Sequence, residues 1–276
     1  MIRRLPLGIG IAAGAASGVG WTITRRLTAP VSPRAFDLTI RDIEHDNDGD
    51  LIVLDRTDQT TADGTYNLWF EHGGWAQLSA DVRDRGPARA SWSGIYYATP
   101  PDAGLNARDI TITTTAGPCP AWRIDGDPST WAIHIHGLGS TRAGTLRGVL
   151  AATDLGYTSL VVTYRNTEEG PRVGTGRSTL GHTETTDADE VIGHAVRRGA
   201  RRIVLFGWSM GAAIALQLAD RPRHEGLIAG LVLDSPVLDW TEVIKTNCTR
   251  SGLPAAAGHL AVPWLTIGPL ARLVGL

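Results

Sequence analysis

The sequence predicts an α/β fold in which a mostly parallel sheet carries helices on both faces. Three observations lead to this prediction. From about residue 105, short apolar strands alternate with helical segments; residues 131–136 form an almost continuous apolar run; and a glycine-flanked turn at residues 207–211 joins a strand to an Ala-rich helix. Strands separated by helices pair in parallel, and a strand buried on both faces is apolar throughout.

The elements of this α/β region follow one another along the chain. We expect strands at residues 109–115, 121–124, 131–136, 159–164, 203–206 and 227–233, with a turn at Gly117-Pro118. Helices are expected at residues 146–155, 187–198 and 210–218, and Asp187 is expected to cap the second of them. After these, short helices are expected at residues 240–246 and 264–274.

A β-rich leader precedes this region. Apolar or alternating segments predict strands at residues 37–43, 51–54, 66–70 and 91–97. The segment Asp46-Asn47-Asp48-Gly49-Asp50 between the first two strands has some features of a calcium loop. Because strands rather than helices flank it, a tight hairpin turn is the better interpretation, and no metal site is expected. The chain therefore divides into residues 1–30, 31–104 and 105–276.

The N-terminal segment has the composition of a membrane helix. Arg3 and Arg4 precede an uncharged, Gly- and Ala-rich run over residues 5–24, which Arg25 and Arg26 close. This run has about the length that a helix needs to cross a bilayer. We expect an uncleaved, single-pass N-terminal membrane anchor, with secretion after signal cleavage as the alternative. Arginine pairs at both ends leave the orientation open.

Charge and cysteine content exclude some classes of function. The 276 residues carry a formal net charge of −2, so the chain has no general attraction to nucleic acid, and no nucleic-acid partner is expected. Cys119 and Cys248 fit no zinc-binding spacing. They are either two separate thiols or one disulfide formed in an oxidising compartment.

The pentapeptide at residues 207–211 carries the chemistry. Gly207-Trp208-Ser209-Met210-Gly211 is a G-x-S-x-G nucleophile elbow between an apolar strand and an Ala-rich helix. Such a turn is sharp and crowded, so glycine on either side of the serine removes side chains that would clash. The helix that follows directs its N-terminus at the site and favours developing negative charge. The sequence therefore predicts Ser209 as a nucleophile.

A second loop supplies the matching polar groups. The strand at residues 131–136 leads into His136-Gly137-Leu138-Gly139-Ser140. In hydrolases of this type, one oxyanion donor comes from this loop and another from the residue after the nucleophile. We therefore expect the N–H groups of Leu138 and Met210 to form an oxyanion hole. His136 and Gly137 support the loop, because a base at His136 would contradict the Ser…Asp…His chain order.

These segments resemble a known family. Residues 131–139, 164–166, Thr183-Glu184, and the run from 207 through Asp234-Ser235-Pro236 are similar to bacterial α/β-hydrolases related to serine aminopeptidases and the Bem46-like group. Members often have an N-terminal hydrophobic segment and a β-rich stretch before the hydrolase core. The resemblance implies a serine hydrolase that acts on a small-molecule or lipid ester, thioester or amide without a cofactor.

The C-terminus departs from the family pattern. Family members continue beyond the strand that ends at Asp234 with a lid-like helical stretch, two more strands, a catalytic acid and a final histidine. The residues after Trp240 contain neither a further strand ending in Asp nor a Gly-His near a last helix. Asp234 and His259 have the required chain order, but the resemblance assigns neither of them the catalytic role. We therefore expect a truncated catalytic domain that lacks the last strands.

Three functions remain open from the sequence. The first is a serine hydrolase that acts through Ser209. The second is a catalytically impaired relic or binding protein that keeps the pocket without the triad acid and base. The third is an acyltransferase on the same fold, which would differ only in its acceptor.

Overall fold

The computed structural model describes residues 6–32, 36–46, 49–55, 57, 67–70, 89–93, 95 and 97–276. The chain divides into two compact units, one formed by Ser32–Leu105 and the other by Met1–Val31 together with Asn106–Leu276. The expected flank of Arg3 and Arg4, the turn residues Asn47 and Asp48, and parts of the expected strands 66–70 and 91–97 lie outside the described residues.

The smaller unit contains an antiparallel sheet. Its described strands are β1 (Leu38–Asp46), β2 (Gly49–Leu54), β3 (Asn67–Phe70) and β4 (Arg89–Ser93), and they lie in the order β2-β1-β4-β3. β1 and β2 pair as a hairpin with Asp46 opposite Gly49, as the Asp- and Gly-rich segment predicts. Leu38, Ile40 and Ala90 are buried within this unit.

The larger unit contains a mixed, mostly parallel sheet. Its described strands are β5 (Ala107–Thr114), β6 (Gly117–Ile124), β7 (Asp127–Ile135), β8 (Tyr157–Val162), β9 (Arg202–Trp208) and β10 (Ile228–Asp234). They lie in the order β10-β9-β7-β8-β6-β5. β10, β9, β7 and β8 are parallel neighbours, whereas β6 runs antiparallel to β8, and β5 to β6. The predicted mostly parallel sheet is confirmed, with an antiparallel hairpin at one edge.

Helices cover both faces of this sheet, as predicted. The described helices are α1 (Pro6–Leu27), α2 (Leu146–Asp154), α3 (Glu184–Arg197), α4 (Met210–Ala219), α5 (Trp240–Arg250), α6 (Val262–Thr266) and α7 (Gly268–Val274). On one face, Ala152 of α2 packs with Ala132 and Phe206. On the other face, α3 and α4 bury an aliphatic cluster around Ile133 and Ile135. The central strands are therefore buried on both sides, which is why their sequences are apolar throughout.

The turn between β5 and β6 differs from the expected one. It lies at Thr115-Ala116, and Gly117 and Pro118 already belong to β6. The Thr114 hydroxyl accepts a hydrogen bond from the Ala116 N–H at 3.2 Å and donates one to the Gly117 carbonyl oxygen at 2.9 Å. These two side-chain bonds stabilise a tight turn that lies slightly earlier in the chain than the Gly-Pro pair suggested.

Asp187 does not cap a helix, and that expectation was wrong. α3 begins three residues earlier, at Glu184, so that Asp187 lies inside the helix with its side chain fully buried. Its carboxylate accepts hydrogen bonds from Arg165 Nε at 2.8 Å and Arg165 Nη2 at 2.6 Å. A long-range ion pair, rather than a local cap, therefore explains this carboxylate.

The N-terminal helix α1 packs against C-terminal segments of the same chain. A Cβ added at Gly20 would lie 2.0 Å from the Leu260 carbonyl oxygen, and the buried Thr24 hydroxyl donates to the Ala261 carbonyl oxygen at 3.3 Å. Across the part of the chain that the structure describes, no helix combines the length and apolarity needed to cross a bilayer. The expected single-pass membrane anchor, and the membrane as a partner, were therefore wrong. Gly20 and Thr24 of α1 instead contact the protein segment at Leu260 and Ala261.

The two cysteines are separate buried thiols. Cys119 lies on β6 and Cys248 on α5, and neither forms a disulfide. Burial raises the pKa of the Cys119 thiol. The unpaired alternative from the sequence is thus confirmed.

Candidate active site

Ser209 lies at a sharp bend between β9 and α4. Its backbone has φ of 51° and ψ of −113°, and it directly precedes the first residue of α4. A positive φ in a residue other than glycine costs about 1–3 kcal/mol and persists only where surrounding contacts hold it. Here the Ser209 N–H donates to the Asp234 carbonyl oxygen at 2.9 Å, and the Val237 N–H donates to the Ser209 carbonyl oxygen at 3.3 Å. The bend is thus fixed by the segment that follows the neighbouring strand β10.

The two elbow glycines lie where a side chain has no room. A Cβ at Gly207 would lie 2.5 Å from Ala212 Cα, and a Cβ at Gly211 would lie 2.1 Å from the Ile135 carbonyl oxygen. Both obstructing atoms belong to the backbone, so they cannot rotate away as the end of a side chain could. Glycine at these positions lets α4 start directly over the ends of β7 and β9.

The loop after β7 lies directly against the serine. A Cβ at Gly137 would be 3.1 Å from Ser209 Cβ and 3.8 Å from Ser209 Oγ. The next residue, Leu138, is half-buried and packs on the main apolar cluster, and Met210 is buried. Within the described residues, the N–H groups of Leu138 and Met210 donate to no protein acceptor. These two N–H groups therefore belong to the residues that directly follow Ser209 and its contact Gly137.

His136 supports this loop as a neutral side chain. Its Nδ1 lies 2.9 Å from the Gly137 carbonyl oxygen, and its ring stacks on Tyr164 with 4.4 Å between centroids. The Tyr164 hydroxyl donates to the His136 carbonyl oxygen at 2.8 Å. Burial lowers the pKa of His136 to about 4, so the imidazole is uncharged near neutral pH. These bonds hold the loop backbone in place.

The buried carboxylate of Glu184 binds the segment at residues 178–181, which contacts Met210. The sequence patterns gave Glu184 no role. Glu184 Oε1 accepts hydrogen bonds from Ser178 Oγ at 2.7 Å and from the Thr179 N–H at 2.9 Å. Ser178 Oγ also lies 3.7 Å from Met210 Sδ. Leu180, two residues after Ser178, has a φ of 58°. Its carbonyl oxygen accepts a hydrogen bond from Trp240 Nε1 at 3.1 Å. In the sequence, Glu184 was notable only as part of the family resemblance. Hydrophobic periodicity cannot identify a carboxylate that binds a loop.

No base contacts the nucleophile in the part of the chain that the structure describes. Ser209 Oγ forms no hydrogen bond to a described side chain, and no described ion pair or hydrogen bond joins Asp234 to His259. Instead, Asp234 Oδ1 accepts from Ser235 Oγ at 2.8 Å. The structure brings together the elbow, Gly137, Leu138 and Met210, but not an acid and a base.

One acid–histidine pair does exist elsewhere. His224 Nε2 lies 2.5 Å from Asp189 Oδ1, and Arg221 also contacts this carboxylate. His224 follows the C-terminal end of α4, whereas Ser209 precedes its N-terminus. Ten helical residues span roughly 15 Å, so this pair cannot reach Ser209. It links α3 to the segment after α4.

Solved structures that match part of this chain include two named esterases. An esterase from Pyrococcus furiosus matches at 25% identity over 61% of this chain and 65% of its own length, with a TM-score of 0.48. An alpha-beta hydrolase from Vibrio vulnificus matches at 23% over 58% of this chain and 56% of its own, with a TM-score of 0.46. An esterase from Exiguobacterium antarcticum matches at 21% over 48% and 46%, with a TM-score of 0.39. The matched region thus spans about 65% of the length of the Pyrococcus esterase.

Family models match both units of the chain. A domain of unknown function (DUF8805) matches residues 39–90, within the β-rich leader. No curated protein matches the chain. The model of the Alpha/beta hydrolase family matches residues 132–275, which include the loop after β7, the elbow at Ser209 and all later helices. Since that match covers more than half of the chain, this protein belongs to the alpha/beta hydrolase family.

Proposed function

We propose that this chain is a serine hydrolase that attacks an ester, thioester or amide through Ser209. The observation that carries the proposal is the strained bend at Ser209, directly against Gly137 and beside two unused backbone N–H groups. Within the family, we propose that it belongs with the enzymes related to serine aminopeptidases and the Bem46-like group. A strained backbone costs free energy of folding, and strained strand-to-helix turns are characteristic of nucleophile elbows.

The proposed reaction follows from the groups at the bend. Ser209 Oγ forms a bond to the carbonyl carbon of the substrate, and the carbonyl oxygen becomes an oxyanion as its π bond breaks. The N–H groups of Leu138 and Met210 stabilise this charge, and each such donor contributes about 3–4 kcal/mol in the transition state. Collapse of the intermediate expels the alcohol, thiol or amine, and water then releases the acyl group as a carboxylic acid. Gly207 and Gly211 keep the bend and the helix start in place.

The hydroxyl proton of Ser209 needs an acceptor in this scheme. Among the described residues no histidine bonds to Ser209 Oγ, and His136 uses Nδ1 on its own loop. This observation favours a second candidate function, a binding protein that retains the pocket without efficient turnover. Without a base the serine is weakly nucleophilic, and only the catalysis due to the oxyanion donors would remain.

A fluorophosphonate probe distinguishes the two candidates. We expect covalent labelling of the full-length chain, located on the Ser209 peptide by mass spectrometry and absent in Ser209→Ala. Ser251→Ala is a matched control, because Ser251 is an exposed serine that follows α5 and lies outside the elbow and the loop after β7. Labelling that persists in Ser209→Ala would contradict the assignment of the nucleophile. No labelling of the wild-type chain at high probe concentration would support the binding protein.

A further inference from the structure

A cavity of about 350 Å³ lies between the N-terminal helix α1 and helix α5. Residues from α1, from α5 and from the segment just after α5 line it. None of the lining residues belongs to the elbow, to the loop after β7 or to the segment held by Glu184. The volume is in the range of pockets that bind small organic ligands. The cavity is therefore a candidate binding site separate from Ser209.

The floor of the cavity is apolar. Ile23 and Leu27 of α1 face Ile244 and Cys248 of α5, and both α5 side chains are almost fully buried. Positions 244 and 248 are one helical turn apart, as are 23 and 27, so each helix contributes one continuous strip. Such a floor favours an aliphatic chain over a polar or strongly hydrated ligand.

The rim of the cavity is polar and positively charged. Arg26, Asn247 and Ser251 line it with exposed side chains. Arg26 is the charged member among the described lining residues, and no described carboxylate forms an ion pair with it. The guanidinium of Arg177 lies near the same end of α1, donating to the Arg25 carbonyl oxygen at 2.7 Å and to Thr28 Oγ1 at 3.2 Å. The local charge therefore favours an anionic head group.

We propose that this cavity binds an amphipathic carboxylate, with its aliphatic chain on the floor and its carboxylate at Arg26. A guanidinium can donate to both oxygens of a carboxylate in parallel hydrogen bonds, and Asn247 and Ser251 supply further donors beside it. Each methylene group that leaves water for the floor adds to the affinity. A cationic amphiphile would meet an unfavourable charge at the same rim.

Calorimetric titration of the full-length chain with decanoate tests the charge at the rim. Decanoate is expected to bind with one site, decyltrimethylammonium is not, and Arg26→Gln is expected to weaken decanoate binding about fivefold, as for an exposed ion pair. Arg25→Gln is the matched control, because it removes the same charge from the neighbouring residue, whose guanidinium lies over Trp21. Equal affinities in Arg26→Gln and Arg25→Gln, or no binding of decanoate, would overturn the proposal.

A second pair of variants tests the position of the ligand. Asn247→Phe places an aromatic ring at the rim and is expected to abolish binding, whereas Thr246→Phe, the exposed neighbour outside the lining, is expected to leave it intact. Unchanged decanoate affinity in Asn247→Phe would show that the ligand binds elsewhere and would sink the proposal.

Discussion

Gly137 and Ser209 are in such close contact that a methyl group on Gly137 would lie 3.1 Å from Ser209 Cβ and 3.1 Å from the Trp208 carbonyl oxygen. The loop after β7 and the elbow after β9 therefore share one fixed geometry, although 72 positions of numbering separate them (209 minus 137). We expect catalysis by the proposed nucleophile Ser209 to depend on the contact between Gly137 and Ser209. Oxyanion donors act only at the position where the charge develops.

Gly137→Ala is expected to slow fluorophosphonate labelling of Ser209 by at least about tenfold. The added methyl group must displace either the serine or the loop by a few tenths of an ångström, and misplacement of reacting groups is costly. Labelling rates from gel fluorescence measure the effect. Gly139→Asn is the control, since Gly139 has a φ of 70° that Asn tolerates, and no atom lies within 4 Å of the position that its Cβ would take. Equal rates in the two variants would contradict the proposed role of the contact.

Gly211→Ala is expected to lower the free energy of unfolding by about 1–3 kcal/mol, the usual cost of overpacking. The added Cβ would come within 2.1 Å of the Ile135 carbonyl oxygen and 2.6 Å of the His136 carbonyl oxygen, so backbone must move. Urea unfolding measures the change. In the control Gly193→Ala, the new Cβ meets only the end of the Arg197 side chain at 3.2 Å, and stability should rise by about 0.5–1 kcal/mol. An unchanged free energy of unfolding in Gly211→Ala would contradict the tight packing of α4 against β7.

Arg165→Met is expected to destabilise the chain by about 3–5 kcal/mol, because it leaves the buried Asp187 carboxylate without its charged partner. The matched control is Lys245→Met, which breaks the exposed ion pair with Glu242 at 2.7 Å. A surface pair of this kind contributes about 0–1 kcal/mol. Thermal and urea unfolding of both variants check the difference. Similar decreases in the free energy of unfolding for the two variants would contradict the prediction that breaking the buried Arg165–Asp187 pair is the more destabilising change.

The free energy of unfolding is expected to fall as the pH drops from about 6.5 toward 4. Burial lowers the pKa of His134 to about 3 and that of His136 to about 4, from an ordinary 6.5. The unfolded chain therefore binds protons in this window while the folded chain keeps both imidazoles neutral. Each histidine contributes about 1.4 kcal/mol per pH unit.

Urea unfolding at several pH values between about 7 and 5 measures this slope, since the unfolded imidazoles titrate there. His134→Gln removes one of the two groups, and its amide can still bond to Ser159 Oγ, which lies 3.2 Å from His134 Nε2. The slope of stability against pH should become shallower by about one proton in this variant. A variant with the slope of the wild-type chain would contradict the neutral, buried state of His134.

Local sequence patterns predicted most of the larger unit. Continuous apolar runs located β7 and β9, and glycines around Ser209 located the bend between β9 and α4, because backbone periodicity and steric limits act over a few residues. The same reasoning failed at Asp187, where a nearby helix start suggested a cap. Its partner Arg165 lies on a different segment, and no local pattern encodes a contact between distant residues.

What the sequence by itself determined was the alternation of strands and helices, and the position of a strained serine between two glycines. Only the tertiary structure decided that Gly20 and Thr24 of α1 pack on Leu260 and Ala261 rather than serve a membrane helix. It also decided that no described histidine reaches Ser209. The physical reason is the same in both cases. Secondary structure depends on neighbours along the chain, whereas the surroundings of a helix face or a hydroxyl group depend on contacts between segments that are remote in sequence.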